Sequence, residues 1–439
     1  MNANDTVLNE DWEVIRSLLP KGWEAKAKEL GAMRRMRGFA SPDRLLRTLL
    51  IHVGEGSSFR QTAVRAREGG LADVSDVALL KRLRNAGLWF SWLARSVMKE
   101  WLMPEEVHAP DSVTRVRVVD GTTIQRPGAK EATWRVHYSM GLPAMFCDEV
   151  HVTGKETGES LKLFSVQAGD LILGDRGLAH RSGIHHVVSQ GGDVLIRISL
   201  TSVPCHHIDG GRFDLLGHLR RLQHHQIGDW PVVVAYESYK IFGRICAVRK
   251  TERATQNARE KARRESRKKG RHVRPVTLEA AGYAMVFTTL DRTIPAQTIL
   301  NIYRARWQVE LVFKLWKSHC ALRRLAGFRR ERILVELYGK LIGVVLTHFL
   351  ITPLRMPSGA LTNREISPVK VRKLLGTCAR ELNRCLGHPL QFQTALVDML
   401  SRIGRFGFKQ KRTKEPNTCH ALALVSAAYR VSIADPALA

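Results

Sequence analysis

The sequence predicts an α/β protein with a mixed sheet, because strand-like segments occur between regions of helical periodicity. Short aliphatic runs in TRVRVVD and GDLILGD end at Asp120 and Asp175, as buried strands would. The segment YRARWQVELVFKLWK, from Tyr303 to Lys317, instead has the spacing of an amphipathic helix. A chain of 439 residues is long enough for two or three domains, so we expect helical regions before and after the sheet.

Residues 1–108 are predicted to form a helical N-terminal domain. Ser41 followed by Pro42 has the pattern of a helix start, Gly69 closes the next short helix, and Ser75 can cap a third. This third helix carries three cations: Lys81, Arg82 and Arg84. Short helices with clustered cations are typical of a helix-turn-helix-like unit that places one helix in the major groove of DNA. A plain helical bundle with exposed basic positions is the alternative.

The two aspartates stand where predicted strands end and turns begin. An aspartate in a turn usually accepts local backbone hydrogen bonds, and this interpretation suits Asp120 or Asp175 alone. Together with Glu310 they form a set of three acids from separate elements, which can hold two divalent cations around a phosphodiester. Carboxylate oxygens are the ligands that Mg²⁺ prefers, whereas histidine and thiolate suit zinc better.

Four polar residues of the predicted helix point to one side. At roughly 100° per residue, Tyr303, Arg306, Glu310 and Lys317 lie within about 60° of one another. Apolar residues form a neighbouring stripe suited to packing on a core: Ile302, Val309, Phe313 and Trp316. A solvated face with ordinary charge pairs is the alternative interpretation.

The intervals between the acids predict how the core is divided. The interval from Asp120 to Asp175 is long enough for the remaining strands of one sheet, whereas the interval from Asp175 to Glu310 is more than twice as long, far more than one crossover needs. Residues 193–290 contain the runs DVLIRISL, WPVVVAYES, KIFGRICAVRK and YAMVFTTL and are predicted to be a β-rich insertion. The core is then split into two parts, residues 109–192 and residues 291–355.

The insertion carries a strongly basic segment. From Thr251 to Arg274 there are ten Lys or Arg against three Glu, a net charge of +7. Such runs are usually solvated or disordered, and here we expect a mobile loop or helix that clamps DNA phosphates without reading bases. The predicted contacts are Arg263, Arg264, Arg267, Lys268 and Lys269.

The overall composition favours a polyanionic partner, since 69 Lys and Arg exceed 41 Asp and Glu. The N-terminus is polar and the best apolar run is too short to cross a bilayer, so no membrane partner is expected and a cytoplasmic location is predicted. Seven cysteines without a CxxC pair indicate buried thiols in a reducing compartment, not a zinc site.

Residues 356–439 are predicted to be a small helical C-terminal region. The segments VKVRKLLGTCARELNRCL and FQTALVDMLSRIG are helix-like, and a basic loop and an apolar stretch follow them. Their apolar faces would pack on the core or on another subunit, so dimerisation is an expected role.

The motifs VVDGTT around Asp120 and LGDRG around Asp175, with the spacing Y-x2-R-x3-E-x6-K from Tyr303, resemble those of bacterial DDE transposases of the insertion-sequence IS-four family. The similarity runs from SPDRLLRTLL through to the helix at Lys317 and thins beyond about Leu350. The resemblance implies a ribonuclease-H-like catalytic core, interrupted by the insertion.

The resemblance also implies site residues. Asp120, Asp175 and Glu310 carry over as the catalytic acids, which bind two Mg²⁺ ions that Mn²⁺ can replace. The implied DNA contacts are Tyr303, Arg306 and Lys317, with Arg176 and Tyr283 as further candidates. Related enzymes carry a Trp near the last insertion strand that stacks on a flipped base, so tyrosine at position 283 is a departure, and a half-buried strand aromatic is the commoner explanation.

The implied function is DNA transposition. Such enzymes cut double-stranded DNA at the terminal inverted repeats of their element and join the freed 3′-OH ends to target DNA, and a homodimer would hold the two ends together. Two alternatives are a ribonuclease-H-like nuclease without strand transfer and a transposase-derived DNA-binding protein. The presence of all three acids argues against the second.

Overall fold

The computed structural model describes residues 12, 15–102, 115–125, 128, 133–142, 146–223, 226–268, 270–307, 309–310, 313, 325, 329–343, 367–385 and 388–408. Two predicted DNA contacts, Lys269 and Lys317, lie outside these residues. Most of the predicted C-terminal basic loop and the apolar stretch after it also lie outside them.

The described part of the N-terminal region is helical. It contains α1 (Trp23–Glu29), α2 (Pro42–Glu55), α3 (Phe59–Glu68), α4 (Asp76–Asn85) and α5 (Gly87–Leu102). The predicted caps are confirmed, because the hydroxyl oxygens of Ser41 and Ser75 accept hydrogen bonds from backbone N–H groups in the first turns of α2 and α4. Gly69 follows α3 as predicted, and Ser58 begins α3 with a capping box that the sequence analysis did not identify.

Eight strands of the described residues form one sheet. The strands are β1 (Val116–Ile124), β2 (Trp134–Leu142), β3 (Phe146–Gly154), β4 (Leu171–Gly174), β5 (Asp193–Arg197), β6 (Ile227–Tyr236), β7 (Tyr239–Arg249) and β8 (Tyr283–Thr288). Their order is β3-β2-β1-β4-β5-β8-β7-β6. The pairs β1–β4 and β4–β5 are parallel and the other pairs are antiparallel, so the predicted mixed α/β fold is confirmed.

The two faces of the sheet pack on different cores, as the alternation of side chains along a strand requires. Leu171 and Leu173 of β4 belong to a first core with the N-terminal helices and the helical residues 330–343, which we label α11. Ile172 belongs to a second core with α6 (Arg181–Ser189) and α7 (Leu215–Arg220). Because β4 is buried on both faces, it reads as a continuous apolar run in the sequence.

One strand of the predicted insertion joins the sheet beside β4. The run DVLIRISL, predicted to begin the insertion, contains β5, which pairs in parallel with β4 from Leu171 opposite Asp193 to Gly174 opposite Ile196. The later predicted strands are present as β6, β7 and β8, and they extend the same sheet through the antiparallel pair of β5 and β8. A short apolar run does not indicate which neighbour it pairs with, and tertiary contacts decide this.

Two helices, α8 (Glu252–Lys268) and α9 (Pro275–Ala280), connect β7 to β8. Helix α10 (Ala296–Arg304) follows the sheet. After α11, the helices α12 (Pro368–Cys385) and α13 (Pro389–Phe406) share a small apolar core. Of the described cysteines, four are buried and Cys385 is partly exposed. Within the described residues, no helix is both long and apolar enough to cross a membrane.

The prediction of one continuous helix from Tyr303 is wrong. Helix α10 ends at Arg304, and Ala305 and Arg306 lie in a turn before helical backbone resumes at Trp307. The N–H groups of Ala305, Arg306 and Val309 bond to carbonyls three residues earlier, the tighter spacing of a 3₁₀ turn. The apolar stripe is nevertheless buried where it is described, at three positions: Ile302, Val309 and Phe313.

Candidate active site

Asp120 lies in β1, and Asp175 directly follows the adjacent parallel strand β4. The pairing of β1 with β4 aligns Val116 with Leu171 and Val118 with Leu173, and this offset along the chain equals the interval between the two aspartates. Extending this register by two residues brings Asp175 beside Asp120. Because neighbouring strands are about 4.8 Å apart, the two carboxylates emerge next to each other.

Both aspartates also lie on one face of the sheet. Each follows, by two residues, a strand residue that packs in the first core, so alternation directs it to the same side. That face is covered by residues of the segment that carries Glu310, including Val309 and Phe313. The sheet register and the packing of this segment therefore bring the three predicted acids to one region.

The prediction that Asp120 ends its strand is wrong, because β1 continues to Ile124 in its pairing with β2. Strand β4 is shorter, so the part of β1 that carries Asp120 extends past it. Asp175 does follow the end of its strand, where its Oδ1 accepts a hydrogen bond from the N–H of Gly177 at 2.7 Å. This bond fixes the aspartate at the start of the 3₁₀ turn Arg176–Leu178.

Arg306 lies between two of the acids. Its Nη2 donates a hydrogen bond to Oε1 of Glu310 at 2.7 Å, and its Nη1 is 3.5 Å from Oδ2 of Asp120. The side chains of Arg306 and Asp120 are only 12% and 15% exposed, so this interaction is weakly screened by water. The guanidinium thus neutralises two carboxylates that would otherwise repel each other.

Tyr303 packs close to this arginine, with its ring centre 5.9 Å from the guanidinium carbon of Arg306. Burial raises the pKa of the Tyr303 phenol to about 12, while the nearby cations Arg306 and Arg197 act in the opposite direction. The phenol therefore remains protonated at neutral pH and can donate a hydrogen bond to a substrate oxygen.

Burial also raises the pKa of Asp120 to about 7. The negative charges of Asp175 and Glu159 act in the same direction, whereas the N–H of Gly121 and the cation of Arg306 act against it. A cation that approaches this carboxyl group stabilises its ionised form and so lowers its pKa.

The predicted DNA contact Arg176 lies at the same edge of the sheet, together with two basic residues that were not predicted, Arg197 and Lys250. Strands β4, β5 and β7 run in the same direction, and Arg176, Arg197 and Lys250 stand at or just beyond their carboxyl ends. Burial lowers the pKa of Lys250 to about 8, and the charges of Arg197 and Arg176 lower it further, so the three cations are close together. No sequence motif marks Arg197 or Lys250, since only the strand directions bring them to the acids.

Among the predicted DNA contacts of the insertion, Tyr283 is half-buried, whereas the described basic residues are exposed. Tyr283 begins β8 opposite Arg249, at the same edge of the sheet, and is half-buried against the second core. Helix α8 starts at Glu252, directly after β7, so it too leaves from this edge. The described cations of the predicted clamp are exposed along α8: Arg263, Arg264, Arg267 and Lys268.

The donor atoms of the site fit Mg²⁺, because they are carboxylate oxygens at a partly open edge of the sheet. In the described part of the chain, however, no group of three His, Cys, Asp or Glu side chains is close enough to enclose a metal ion. The guanidinium of Arg306 lies between the carboxylates of Asp120 and Glu310, within 3.5 Å of the first and 2.7 Å of the second.

Acids and cations gathered at one edge of a mixed sheet suit an enzyme that cleaves nucleic acid, and comparison with known proteins agrees. Residues 111–346 match the family model described as Transposase DDE domain. Transposase InsL of insertion sequence element IS186A, from Escherichia coli strain K12, is 31% identical over 356 residues that cover 79% of this chain and 95% of that protein. The transposase of element IS421, from Escherichia coli, is also 31% identical, with the same coverage of both chains.

A more distant relative is the transposase of element IS231B from Bacillus thuringiensis subsp. berliner, 22% identical over 91% of this chain and 92% of that protein. Among solved structures, the cryo-EM structure of the piggyBac transposase synaptic complex with hairpin DNA gives a TM-score of 0.39 at 9% identity, covering 94% of this chain and 82% of that chain.

The chain belongs to the DDE transposases, and its relatives identify it as a bacterial member of the IS-four family. It is therefore an enzyme of DNA transposition that cleaves and exchanges phosphodiester bonds, as the sequence predicted.

Proposed function

We propose that this transposase cuts DNA at the terminal inverted repeats of its element and joins the freed 3′-OH ends to target DNA, with Asp120, Asp175 and Glu310 as its catalytic acids. The observation that supports this assignment most directly is the matching register of the two aspartates, together with the Arg306 contacts that connect Asp120 to Glu310. Two Mg²⁺ ions, or Mn²⁺ in their place, are the proposed cofactors.

The proposed catalytic core is ribonuclease-H-like. Support comes from the strand order β3-β2-β1-β4-β5, in which an antiparallel meander of three strands is followed by two parallel ones. We propose that β6, β7 and β8, with α8 and α9, form the insertion that lengthens this sheet. The N-terminal and C-terminal helical regions then flank a core that ends near residue 355.

Each residue of the site has a proposed task. Asp120 and Asp175 are held side by side by the sheet, and Glu310 reaches them from the helical segment above that face. Metal ions held by these three carboxylates would supply an activated attacking oxygen and would stabilise the leaving oxygen. Arg306 can exchange its carboxylate partners for a DNA phosphate, and the protonated Tyr303 can orient a backbone oxygen.

The edge that carries the acids is also the proposed DNA-binding surface. Arg176, Arg197 and Lys250 lie beside the acids, and α8 continues the positive charge outward. Seven Lys or Arg and three Glu give α8 a net charge of +4, and only Thr255 of this helix is buried. Helix α8 is thus suited to lie along phosphates without reading bases. Tyr283 remains a candidate for base stacking, and Lys317 and Lys269 remain proposed phosphate contacts.

The N-terminal domain is proposed to read the element ends. Helix α4 exposes Val77 and Lys81 one turn apart, and Leu88 is exposed just beyond it. A surface with both apolar and basic side chains suits contacts to base edges and phosphates in the major groove.

A homodimer is the proposed assembly, because two element ends have to be held together. Helix α13 supports this, since Leu390 and Val397 are 80% and 60% exposed and lie two turns apart on one side of the helix. Since its substrate is the bacterial genome, the enzyme would act in the cytoplasm, on the nucleoid.

The proposal is tested with the ends of the element in Mg²⁺, comparing wild type with Glu310→Gln. Glu331→Gln is the matched control, because Glu331 is exposed and the substitution changes the charge equally. We expect Glu310→Gln to lose cleavage by at least about 100-fold while Glu331→Gln remains active. Undiminished cleavage by Glu310→Gln would refute the acidic triad. Cleavage without joining of 3′-OH ends to a second duplex would favour the nuclease alternative, and Mg²⁺-independent binding alone would favour a DNA-binding protein.

A further inference from the structure

The loop between α1 and α2 carries three arginines within four residues, a feature that was not identified from the sequence. Arg34, Arg35 and Arg37 are all exposed, and none of their side chains forms an ion pair with another described residue. Residues 34–37 are called the arginine loop below. Its three positive charges have no counter-ion within the described part of the chain.

The arginine loop is held in place although its side chains are exposed. Met33 and Phe39, which precede and follow it, are each 1% exposed and belong to the first core. Nη2 of Arg82, from α4, donates hydrogen bonds to the carbonyls of Arg35 at 2.5 Å and of Arg37 at 2.8 Å. These contacts keep the three guanidinium groups in the same small region, whereas a mobile segment would let them separate.

Arg82 adds a fourth positive charge at the arginine loop. It is one of the three cations predicted on α4, but its guanidinium is directed to the loop carbonyls. Burial lowers the pKa of Arg82, and no carboxylate of the described residues pairs with it. Four cations gathered in this way repel one another, and a polyanion that binds to them relieves the repulsion.

The surface beside the arginine loop is basic as well. An open groove there is lined by Met36, Gly38, Arg44 and Arg67, among other residues. Arg44 is exposed and forms no ion pair with another described residue. The acid of the same groove, Asp73, is already paired with Arg67. The groove therefore extends the positive charge of the loop.

We propose that the arginine loop binds the phosphates of duplex DNA and that Arg82 is a positioning residue that holds the loop. Guanidinium groups suit this task, because each can donate two parallel hydrogen bonds to phosphate oxygens. The inference rests on the proposed reading of the element ends by the N-terminal domain, and it names the residues that grip the DNA backbone there. Arg82 acts through the loop and does not contact bases.

The proposal is tested by the binding of the full-length chain to a fluorescent duplex that carries the terminal inverted repeat. Anisotropy is measured at several KCl concentrations in EDTA. Replacing Arg34, Arg35 and Arg37 with glutamine should reduce the slope of log K against log salt by about 0.9 for each arginine that contacts a phosphate. A duplex of unrelated sequence should show the same reduction, because phosphate contacts carry no sequence information. An unchanged slope would overturn the proposal.

Two control variants separate the charge of this loop from the charge of the whole protein. Lysine at the same three positions should keep the slope, because the positive charges remain. Replacing Lys373, Arg384 and Arg405 with glutamine removes three exposed cations from α12 and α13, and this variant should also keep the slope. If the two glutamine variants lose slope equally, the effect belongs to net charge and the proposal fails.

The positioning role of Arg82 has a separate test. Arg82→Gln should weaken DNA binding in the wild-type background but not in the variant with three loop glutamines, because the residues that Arg82 positions are then absent. If the losses of binding free energy add, Arg82 contacts DNA itself and its positioning role is refuted.

Lys81→Gln distinguishes failure of this inference from failure of the proposed function, since Lys81 is exposed on α4. A reduced preference of Lys81→Gln for the element end, together with a wild-type slope in the loop glutamine variant, would refute the role of the arginine loop and leave the N-terminal domain as the reader of the ends. Equal affinity of the wild-type chain for the element end and the unrelated duplex would instead refute the reading of ends, whatever the loop variant does.

Discussion

Arg306 and Glu310 are one helical turn apart in the sequence, and Nη2 of the arginine donates a hydrogen bond to Oε1 of the glutamate at 2.7 Å. The same guanidinium is 3.5 Å from Asp120, which comes from the centre of the sheet and lies far earlier in the chain. One cation thus connects the segment that carries Glu310 to β1. Under the proposed function, in which Asp120 and Glu310 bind a metal ion, this guanidinium is a stand-in cation for that ion.

Removal of this cation should make the site dependent on metal for its stability. In EDTA, Arg306→Gln leaves Asp120 and Glu310 without a counter-ion, and we expect a loss of roughly 1–3 kcal/mol and a lower melting temperature. Mg²⁺ should raise the melting temperature of this variant more than that of wild type. Arg304→Gln is the control, since Arg304 is exposed at the end of α10. Equal responses of the two variants to Mg²⁺ would contradict the role of Arg306 as a stand-in cation.

A methyl group on Gly121 should cost little stability. The atoms that a Cβ would meet all belong to the Glu159 side chain, which can move at small cost, so the unfolding free energy should change by less than about 1 kcal/mol. Gly158→Ala provides the comparison, because a Cβ there meets nothing within 4 Å. Urea denaturation measures both variants, and a loss of several kcal/mol in Gly121→Ala alone would contradict the prediction.

A buried ion network beneath the site should be essential for stability. Arg117 is almost fully buried and donates hydrogen bonds to Asp148 at 2.7 Å and to Glu149 at 2.8 Å. Arg117→Met would remove the cation that both carboxylates share and the hydrogen bond to Asp148, at a cost of about 3–5 kcal/mol in unfolding free energy. Arg67→Met should change it by less than about 1 kcal/mol, since the ion pair of Arg67 with Asp73 is exposed. Urea denaturation measures both, and similar midpoints would argue against a buried network.

The N-terminal domain should lose stability in acid through His52. Burial lowers the pKa of His52 to about 4, and the cation of Arg332 acts in the same direction, while Glu336 opposes it. Between pH 6.5 and 4 the unfolded histidine binds a proton that the folded one does not, so this contribution is complete above pH 6.5 and is lost as the pH falls towards 4.

The test is the melting temperature at pH 7 and pH 5, compared between wild type and His52→Gln. The neutral glutamine cannot take up a proton, so the variant should show a smaller decrease between the two pH values. The structure gives two protein contacts that the variant removes: the hydrogen bond from His52 to Thr62 and the stacking on Phe59. The change in melting temperature from pH 7 to pH 5 is therefore the informative quantity. An equal decrease in both proteins would contradict the prediction.

The basic helix α8 should set the salt dependence of DNA binding. Replacing Arg263, Arg264 and Arg267 with glutamine should reduce the slope of log K against log salt by about 0.9 for each arginine that contacts a phosphate. A variant with lysine at the same three positions should keep the slope, because it preserves the charge. Duplexes of unrelated sequence should be affected equally. An unchanged slope in the glutamine variant would exclude α8 from the DNA-binding surface.

Structural features formed by residues that are close together in the sequence were predictable without the structure. The caps at Ser41 and Ser75 depend on side chains that bond within one turn, so local sequence is enough to identify them. The strands around Asp120 and Asp175 were found from their β-branched and aliphatic residues. The break in the helix after Arg304 was not predicted from the sequence, because apolar periodicity continues across a 3₁₀ turn.

The sequence by itself determined the family, the mixed α/β character and the identity of three candidate acids, because these depend on residue types at fixed local spacings. Only the tertiary structure decided that β5 joins β4, that Arg306 lies between Asp120 and Glu310, and that Arg82 holds the arginine loop. The reason is physical: strand register and strand direction bring together side chains that are far apart in the chain, and no local pattern encodes such distances.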